Sequence, residues 1–355
     1  MFRFRRVSVC VLFLFGAFGV ALAQDKANDA VERRINGLIK QMTLQEKAGQ
    51  LSQYDSMSPQ TTELLKKGEV GSLLNVIGAE NTNAAQKIAM EQSRLKIPIL
   101  FGFDVIHGYR TVFPVPIGSA SSFDPQLIEQ SERIAAKETT AAGIKWAFAP
   151  MLDVARDPRW GRMVEGAGED PYLGAMVGVA RVRGFQGTNL ADPRSLLACI
   201  KHFVAYGAVE GGREYNTVDI SEQTLREVYL PPFLAARKAG AATLMAAFQD
   251  LNGVPASANH HTLSDILRGE WGFQGLVVSD YSSVNELTVH AVAHDQAEAA
   301  QIALTAGVDM SMADGLYGKF IPGLVQSGKL PISVVDEAVR RVLRAKFKAG
   351  LFDNP

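Results

Sequence analysis

The stretch that decides the fold is Leu196-Leu197-Ala198-Cys199-Ile200-Lys201-His202-Phe203. Its first five residues are all apolar and lack the alternation expected of a strand with one face in water. A short apolar run of this kind is typical of a parallel strand that is buried on both faces. A lysine and a histidine follow near its end. We therefore predict a buried parallel strand whose carboxyl end carries polar side chains.

Similar runs recur along the chain, each followed by a helical pattern. The pattern predicts further strands over residues 71–76, 98–103, 145–150, 242–248, 275–279 and 308–312, with intervening helices such as 125–142 and 222–239. Repeated strand–helix units form parallel sheets with right-handed crossovers. The predicted fold class is α/β, a (β/α)8 TIM-like barrel. Only seven of its eight strands can be recognised in the sequence, so an irregular barrel is expected. An open, doubly wound sheet is the alternative.

The two ends of this region are predicted to be helical. Residues 28–54 show a helical apolar pattern, and Thr43 with Glu46 fits a capping box for a helix from about residue 44 to 50. The last helix is predicted over residues 333–348, because Gly350 and then Pro355 are helix-stop signals. No linker or repeat interrupts residues 24–355, which we interpret as one domain.

Composition excludes several classes of protein. The 355 residues are 47% hydrophobic and 21% charged, which is typical of globular domains and not of disordered or multi-span membrane proteins. The net charge of −1 provides no field that would attract nucleic acid or anionic lipid. We therefore expect no nucleic-acid partner.

The first 23 residues have the pattern of a signal peptide. Arg3, Arg5 and Arg6 precede an apolar run over residues 7–20, and Ala21-Leu22-Ala23 matches a signal-peptidase site. We predict a mature chain from Gln24 that is periplasmic or secreted, with no membrane association after cleavage. The alternative is an uncleaved anchor, but the run is shorter than a membrane span needs. Cleavage would leave Cys199 as the single cysteine, which we interpret as a buried apolar residue rather than a nucleophile.

Unusual side chains follow five of the predicted strands. In a parallel barrel the active site lies at the carboxyl ends of the strands and in the loops after them. The candidate site residues are therefore those that the pattern places at this edge, namely Asp104, Arg162, Lys201, His202, Met245 and Asp280. Asp280 could instead cap the helix that follows it.

The residue types favour carboxylate chemistry. The sequence contains no His-Glu-x-x-His pair and no cysteine cluster, so we predict no metal site and no cofactor. Gly166-x-Gly168 lacks the lysine and hydroxyl of a phosphate loop, and no Gly-x-Ser-x-Gly turn is present for a serine hydrolase. An aspartate can attack an anomeric carbon if a second group protonates the leaving oxygen.

Several long motifs resemble glycoside hydrolase family 3, and most closely its bacterial periplasmic β-glucosidases. The motifs are Phe101-Gly102-Phe103-Asp104-Val105-Ile106-His107-Gly108, Asp157-Pro158-Arg159-Trp160-Gly161-Arg162, Lys201-His202-Phe203-Val204-Ala205-Tyr206-Gly207, Asn252-Gly253-Val254-Pro255 and Gly275-Leu276-Val277-Val278-Ser279-Asp280. The resemblance covers nearly all of residues 29–355 and implies retaining hydrolysis of terminal β-D-glucosyl residues.

The resemblance also implies a role for each candidate residue. Asp280 would be the nucleophile, and Asp104 would accept hydrogen bonds from sugar hydroxyls. Arg162, Lys201 and His202 would donate to the sugar hydroxyls and help to keep the nucleophile ionised. Met245 would line the same subsite. Trp160 is interpreted either as a sugar platform or as a core residue. Asp170 is predicted to cap the helix that starts at Pro171.

The sequence departs from the family pattern at the general acid. In most relatives the acid is a glutamate on a second α/β domain, and we expect that domain to be absent from this chain, which stops at Pro355. Single-domain relatives, the β-N-acetylhexosaminidases, use a histidine where this chain has Tyr206. Glu210 and Glu214 lie nearby, but only proximity favours either. Phe248-Gln249 replaces a Tyr-Asn or similar pair of many relatives, which affects substrate preference.

Three alternatives to an active β-glucosidase barrel stay open. The chain could be an exported sugar-binding barrel that lacks the acid, a β-N-acetylhexosaminidase, or an aldolase-like barrel with Lys201 as a Schiff-base lysine. The expected partner is a small β-glucoside or oligosaccharide. Both a monomer and a homodimer are consistent with the sequence.

Overall fold

The computed structural model describes residues 29–355, which divide into two units. Residues 29–41 form a helix, and residues 42–355 form a compact domain. The predicted signal peptide and the predicted first mature residue, Gln24, lie outside the described residues. Within residues 29–355, no helix combines the length and the apolar character that crossing a membrane requires.

The domain is a closed barrel of eight parallel strands. We number them β1 to β8 in chain order, as Ser52–Asp55, Ser72–Leu74, Leu100–Phe103, Trp146–Ala147, Leu197–Phe203, Thr243–Ala246, Leu276–Tyr281 and Met310–Met312. Each strand pairs with its sequence neighbours, and β8 closes on β1 with Ser311 level with Ser52. The predicted TIM-like barrel is therefore confirmed, and the open sheet is excluded.

The eighth strand is β1, which the sequence did not reveal. We predicted residues 28–54 as helical, but the helix Leu44–Gln50 ends at Leu51 and the chain enters β1 at Ser52. Ser-Gln-Tyr-Asp contains no apolar run, so no local pattern marks it as a strand. Its pairing with both β2 and β8 stabilises it, which is a tertiary effect that overrides local propensity.

The seven predicted strands are all present, but several are shorter than predicted. The extreme case is β4, which covers only Trp146–Ala147 where we predicted residues 145–150. The chain after it stays close to β5, since Met151 bridges to Lys201 and Leu152 N donates to Lys201 O at 2.6 Å. Asp153 consequently lies beside the carboxyl end of β5, although it belongs to no strand.

Helices surround the barrel. The α-helices are Leu44–Gln50, Pro59–Lys67, Ala79–Gln92, Pro116–Ala120, Pro125–Ala141, Pro171–Gln186, Glu222–Thr224, Leu230–Lys238, Gln296–Ala306, Leu316–Gln326 and Ile332–Lys348. π-Helical segments cover Leu225–Tyr229 and His261–Glu270, and short 3-10 turns cover Gly161–Glu165, Tyr206–Ala208, Glu210–Gly212, Ala256–Ala258 and Asn285–Thr288. Asp250–Leu251 and Val254–Pro255 pair as a small antiparallel hairpin.

Local signals account for several helix starts. Thr43 and Glu46 form the predicted capping box, with both reciprocal hydrogen bonds present. Asp170 caps the helix Pro171–Gln186 by accepting from Tyr172 N, as predicted. Such caps satisfy backbone N–H groups that would otherwise lack a partner at the helix start.

Ion pairs stabilise the amino end of the barrel, opposite the end that carries the candidate site residues. Asp309 precedes β8, is 1% exposed, and accepts from Arg268 and Arg341, each at 2.8 Å. Its Oδ2 also accepts from Val277 N at the start of β7, at 2.8 Å. These contacts satisfy a buried carboxylate fully, so this end of the barrel is structural.

Candidate active site

The barrel brings polar candidate residues together at the carboxyl ends of its strands. Asp104 directly follows β3, Lys201 and His202 lie near the end of β5, and Asp280 lies near the end of β7. Arg162 reaches the same place from the 3-10 turn after β4. Residues that are far apart in the sequence therefore form one cluster, as predicted for a parallel barrel.

Lys201 lies between two carboxylates. Its Nζ is 3.0 Å from Asp104 Oδ1 and 3.8 Å from Glu165 Oε1. The lysine side chain is 4% exposed, whereas that of Asp104 is 49% exposed. Lys201 thus holds Asp104 at the mouth of the barrel with one face open. Because its Nζ is already in contact with two carboxylates, the arrangement opposes a Schiff-base role, which requires an amine that is free to attack a carbonyl.

Arg162 connects the loop after β4 to the side chains beside Asp280. Its Nε donates to Glu165 Oε2 at 2.5 Å, and its Nη2 donates to His202 Nε2 at 3.0 Å. Burial opposes the charge on Arg162, but Glu165 outweighs it, so the pKa of Arg162 lies above its usual value. Burial alone would raise the pKa of Glu165, but Lys201 and Arg162 together outweigh burial, so this pKa lies below its usual value. Both groups are therefore ionised.

The imidazole of His202 is neutral and has a defined tautomer. Burial, together with Arg162 and Lys201, lowers its pKa well below the usual value. Nε2 accepts from Arg162, so the proton lies on Nδ1, which donates to Asp153 Oδ2 at 2.8 Å. Asp153 Oδ2 also accepts from the backbone N of His202 at 3.0 Å. Burial raises the pKa of Asp153 to about 7.

Asp280 has one oxygen bonded and one available. Oδ1 accepts from Tyr281 N at 2.7 Å, while Oδ2 is buried without a hydrogen-bond partner and lies 3.4 Å from His202 Nε2. Burial raises the pKa of Asp280 to about 7, although Lys201 and Arg162 oppose the shift. Asp280 is no helix cap, since the next helical turn starts only at Asn285 and has no side-chain cap.

Met245 lies on β6, level with Val278 of β7 and thus two residues before the position of Asp280. It is 3% exposed. Thr243, two residues earlier, faces the barrel interior, where its hydroxyl accepts from Trp146 Nε1 at 2.7 Å. Side chains two residues apart on a strand share a face, so Met245 also lies on the inner face of β6.

The loop after β5, residues 204–218, carries the position where the hexosaminidases have their acid. Tyr206 occupies it, is fully buried, and donates its hydroxyl proton to Glu214. Burial and Glu214 raise the pKa of Tyr206, so it retains its proton. Trp160 is 1% exposed and donates to the other oxygen of Glu214 at 2.6 Å. Trp160 is therefore a core residue and not an exposed sugar platform.

Two aromatic residues border the site on the side of β6. Phe248 and Tyr215 meet edge to face with ring centroids 5.0 Å apart, and Tyr215 is 56% exposed. Gln249 is fully buried and donates to Val204 O at 2.9 Å, so this hydrogen bond supports the start of the loop after β5. Of the Phe248-Gln249 pair, only Phe248 belongs to the border of the site.

Sequence reasoning missed several residues of this cluster. Asp153 follows a two-residue strand, and only its position just after the predicted strand 145–150 could have marked it. Tyr215 lies in an irregular loop with no periodic signal, and the sequence singled out Glu214 of the same loop only for its proximity. Cys199, by contrast, is fully buried as predicted, and burial raises the pKa of its thiol to about 12.

The described residues contain no group of three or more His, Cys, Asp and Glu side chains that could hold a metal ion. The charged side chains of the site form carboxylate–cation pairs instead, and these pairs lie close to the buried carboxyl of Asp280. This arrangement can bind hydroxyl groups through several donors and acceptors and can present one carboxylate oxygen to an electrophilic carbon.

Known proteins are similar to this chain over most of its length. A family model described as the glycosyl hydrolase family 3 N-terminal domain matches residues 43–345. The chain is 45% identical over 342 residues to the periplasmic β-glucosidase of Salmonella typhimurium, covering 95% of this chain and 44% of that protein. It is 35% identical to a putative β-xylosidase of Formosa agariphila, covering 93% of this chain and 47% of that protein.

Solved structures show the same similarity. The β-glucosidase of Listeria innocua in complex with isofagomine superposes with a TM-score of 0.87 at 40% identity, over 91% of this chain and 47% of that one. Other structures of that enzyme contain glucose, or laminaribiose bound to a mutant, at the same TM-score of 0.87. This chain spans just under half the length of these relatives.

Proposed function

We propose that this chain, which belongs to glycosyl hydrolase family 3, carries the nucleophile of an exo-acting β-glucosidase that retains anomeric configuration. One observation carries the proposal. Asp280 Oδ2 is buried, has no hydrogen-bond partner, and lies in a cluster that contains Arg162, Lys201 and His202. An unpartnered buried carboxylate oxygen is costly for stability, and its position at the end of a barrel strand supports a catalytic role.

The proposed reaction proceeds in two displacements. In the first, a lone pair of Asp280 Oδ2 forms a bond to the anomeric carbon, and the glycosidic C–O bond breaks with its electrons on the leaving oxygen. That oxygen takes a proton from a carboxylic acid, or departs as an anion if it is a good leaving group. In the second, water forms the new bond to the anomeric carbon, gives a proton to the same acid group, and Asp280 departs as carboxylate.

Asp104 is proposed to bind the sugar. Its side chain is half exposed, and Lys201 holds one of its oxygens. A carboxylate that is fixed in this way can accept hydrogen bonds from two neighbouring hydroxyl groups. Arg162, Lys201 and His202 would line the same subsite, with Met245 on the inner face of β6. We propose glucose as the glycone because the chain is more similar in sequence to the β-glucosidase of Salmonella typhimurium than to the β-xylosidases that it also matches.

The general acid is proposed to lie outside the described residues. Within residues 29–355, three nearby candidates are unsuitable. Glu165 is held ionised by Lys201 and Arg162, both oxygens of Glu214 accept from aromatic donors, and the hydroxyl of Tyr206 is buried against Glu214. This agrees with relatives about twice as long as this chain, and it supports the proposal that residues 24–355 are one barrel domain of a larger enzyme.

Export is proposed from the signal-peptide pattern of residues 1–23 and from the periplasmic β-glucosidase among the relatives. We place the mature protein in the periplasm or outside the cell. A single chain supplies Asp104, Arg162, Lys201, His202 and Asp280, so the proposed nucleophile and sugar subsite require no residue from a second copy.

An activated substrate tests the proposal in this chain. Dinitrophenyl β-glucoside releases its aglycone without protonation, so no general acid is needed for the first displacement. We expect release of dinitrophenolate by the wild-type chain and none by Asp280→Ala. A chain that binds the sugar analogue isofagomine but releases no dinitrophenolate would be the sugar-binding barrel and not the enzyme.

A further inference from the structure

Glu214 is exposed as a residue, yet both of its carboxylate oxygens are occupied. Oε1 accepts from the hydroxyl of Tyr206, and Oε2 accepts from Trp160 Nε1 at 2.6 Å. Trp160 and Tyr206 are 1% and 0% exposed, and their rings meet at 5.3 Å with an interplanar angle of 64°. One carboxylate therefore joins two buried aromatic side chains from different loops.

Trp160 belongs to the loop after β4, which carries Arg162, and Tyr206 belongs to the loop after β5. The two loops are in close contact elsewhere. A Cβ atom on Gly207 would lie 2.3 Å from Val154 O, and one on Gly212 would lie 2.7 Å from Trp160 N. The backbones of the two loops are thus closely packed. The hydrogen bonds of Glu214 fix the same junction through side chains.

Tyr206 transmits this constraint to the site. Its ring meets that of His202 edge to face at 5.3 Å, and the guanidinium carbon of Arg162 lies 5.6 Å from its centroid. Arg162 in turn bonds His202, whose Nε2 lies 3.4 Å from Asp280 Oδ2. A chain of contacts therefore runs from Glu214 through Tyr206 to the groups beside the nucleophile.

We propose that Glu214 is a positioning residue that acts through Tyr206 to hold Arg162 and His202 in place beside Asp280. It does not donate a proton in the reaction, because both oxygens accept hydrogen bonds from buried donors. This inference rests on the proposed hydrolytic function. Its physical basis is that a displacement of about 1 Å among catalytic groups, caused by a residue remote from the chemistry, can lower a rate about 100-fold.

Two variants separate hydrogen bonding from charge. Glu214→Ala removes both contacts, whereas Glu214→Gln keeps an acceptor for Trp160 and a polar group for Tyr206. On dinitrophenyl β-glucoside we expect kcat to fall about 100-fold in Glu214→Ala with little change in KM, and to recover to within about 10-fold of wild type in Glu214→Gln. Glu210→Ala is the matched control, since Glu210 is exposed in the same loop.

Fluorine NMR reports the loop junction independently of turnover. The chain contains three tryptophans, Trp146, Trp160 and Trp271, so 5-fluorotryptophan labelling gives three signals, and Trp160→Phe assigns one. We expect Glu214→Ala to shift the Trp160 signal and Glu210→Ala to leave it unchanged. A melting curve checks that each variant is folded.

The outcomes are distinguishable. A wild-type chain that releases no dinitrophenolate refutes the proposed function itself. An active wild type with unchanged kcat in Glu214→Ala refutes the positioning role, even if the Trp160 signal shifts. An equal fall in Glu210→Ala also refutes it, since the loop would then be sensitive to any change. A fall that Glu214→Gln does not recover assigns the effect to charge and contradicts positioning by hydrogen bonds.

Discussion

His202 Nδ1 lies 2.8 Å from Asp153 Oδ2, and this buried contact defines which nitrogen of the imidazole faces Asp280. The same oxygen of Asp153 also accepts from the backbone N of His202 at 3.0 Å. The carboxyl group thus fixes both the orientation and the tautomer of the ring. As a result, Nε2 can accept from Arg162 on the side that faces Asp280.

Asp153→Asn should therefore impair turnover without removing any group that contacts the sugar. The amide oxygen of Asn can accept both hydrogen bonds of Oδ2, but its NH2 group then lies at the buried position of Oδ1, where it has no partner. Because an unpartnered buried donor is unfavourable, we expect the side chain to shift and to loosen the ring of His202. We expect kcat/KM for dinitrophenyl β-glucoside to fall about 10- to 100-fold, within the usual range for misplaced catalytic groups.

Asp157→Asn is the matched control for this substitution. Asp157 is in the same loop, but it pairs with the exposed Arg159. We expect turnover within about twofold of wild type, because exposed ion pairs contribute little. Equal activity of the two variants would show that the contact between Asp153 and His202 does not matter for the reaction.

The pH dependence of kcat/KM should reflect the ionisation of Asp280. Burial raises its pKa to about 7, and a nucleophilic carboxyl must be ionised, so activity should fall as the pH drops below about 7. The charged groups that influence this carboxyl are Lys201, Arg162 and Asp104. Because Lys201 lowers the pKa, Lys201→Met should move the acid limb to higher pH.

Asp153 has a pKa in the same range, about 7, so it needs a separate assignment. The pH profile of Asp153→Asn distinguishes the two carboxyls. The acid limb should persist in this variant at reduced activity. Its disappearance would assign the limb to Asp153 and contradict our interpretation.

The same burial makes ionised Asp280 unfavourable for stability. Its folded pKa is raised from 3.8 to about 7, so the folded state retains a proton that the unfolded state loses between these pH values. The contribution of this group to stability is greatest below about pH 4 and is lost as the pH rises through about 7. Asp280→Asn should therefore have a higher Tm than wild type at pH 8.

The difference in Tm should narrow as the pH falls towards 4. We expect an increase of ~2 °C or more at pH 8, since domains of 150–250 residues gain roughly 2–4 °C per kcal/mol and a larger domain such as this one gains less per kcal/mol. Calorimetry at several pH values measures it. A lower Tm of Asp280→Asn across the whole range would mean that the cations fully compensate the buried charge.

Gly207 tests the contact between the two loops of the site. A Cβ atom there would lie 2.3 Å from Val154 O, which is backbone and cannot rotate away. Gly207→Ala should cost about 1–3 kcal/mol of unfolding free energy, as overpacked positions do. It should also lower kcat, because the loop after β5 carries Tyr206. Urea denaturation measures the first effect.

Gly323→Ala serves as the control for that comparison. Gly323 lies inside the helix Leu316–Gln326, and nothing lies within 4 Å of the position of its Cβ. We expect it to be neutral or to stabilise the chain by up to about 1 kcal/mol, since alanine restricts the unfolded backbone. A similar loss in both variants would remove the argument from close packing.

Several elements of the fold were predictable because their signals are local. The buried runs around Cys199 and Val277 have no alternation, and seven such runs indicated the barrel. The first strand was not predictable, because Ser52–Asp55 is polar and takes its conformation from β2 and β8. Its pairing partners lie outside any window of ten residues, with Ser72 opposite Gln53 and Ser311 opposite Ser52, so no local pattern reveals them.

The candidate site shows the same division. Asp280, Lys201 and His202 end apolar runs, so their position at the mouth of the barrel followed from the strand pattern. Asp153 is hydrogen-bonded to His202, and Glu214 is hydrogen-bonded to Tyr206 and Trp160. Such contacts depend on how irregular loops pack, and no periodicity or spacing encodes them.

The most direct test of the central claim is covalent labelling of Asp280. A 2-fluoro-β-glucoside with a dinitrophenyl leaving group should form a slowly hydrolysed ester at the nucleophile, because the fluorine disfavours both displacements. Peptide mass spectrometry of the wild-type chain should locate one fluoroglucosyl group on Asp280, with no label in Asp280→Ala. A label on another residue, or an unlabelled chain that still binds the sugar, would contradict the assignment of Asp280 as the nucleophile.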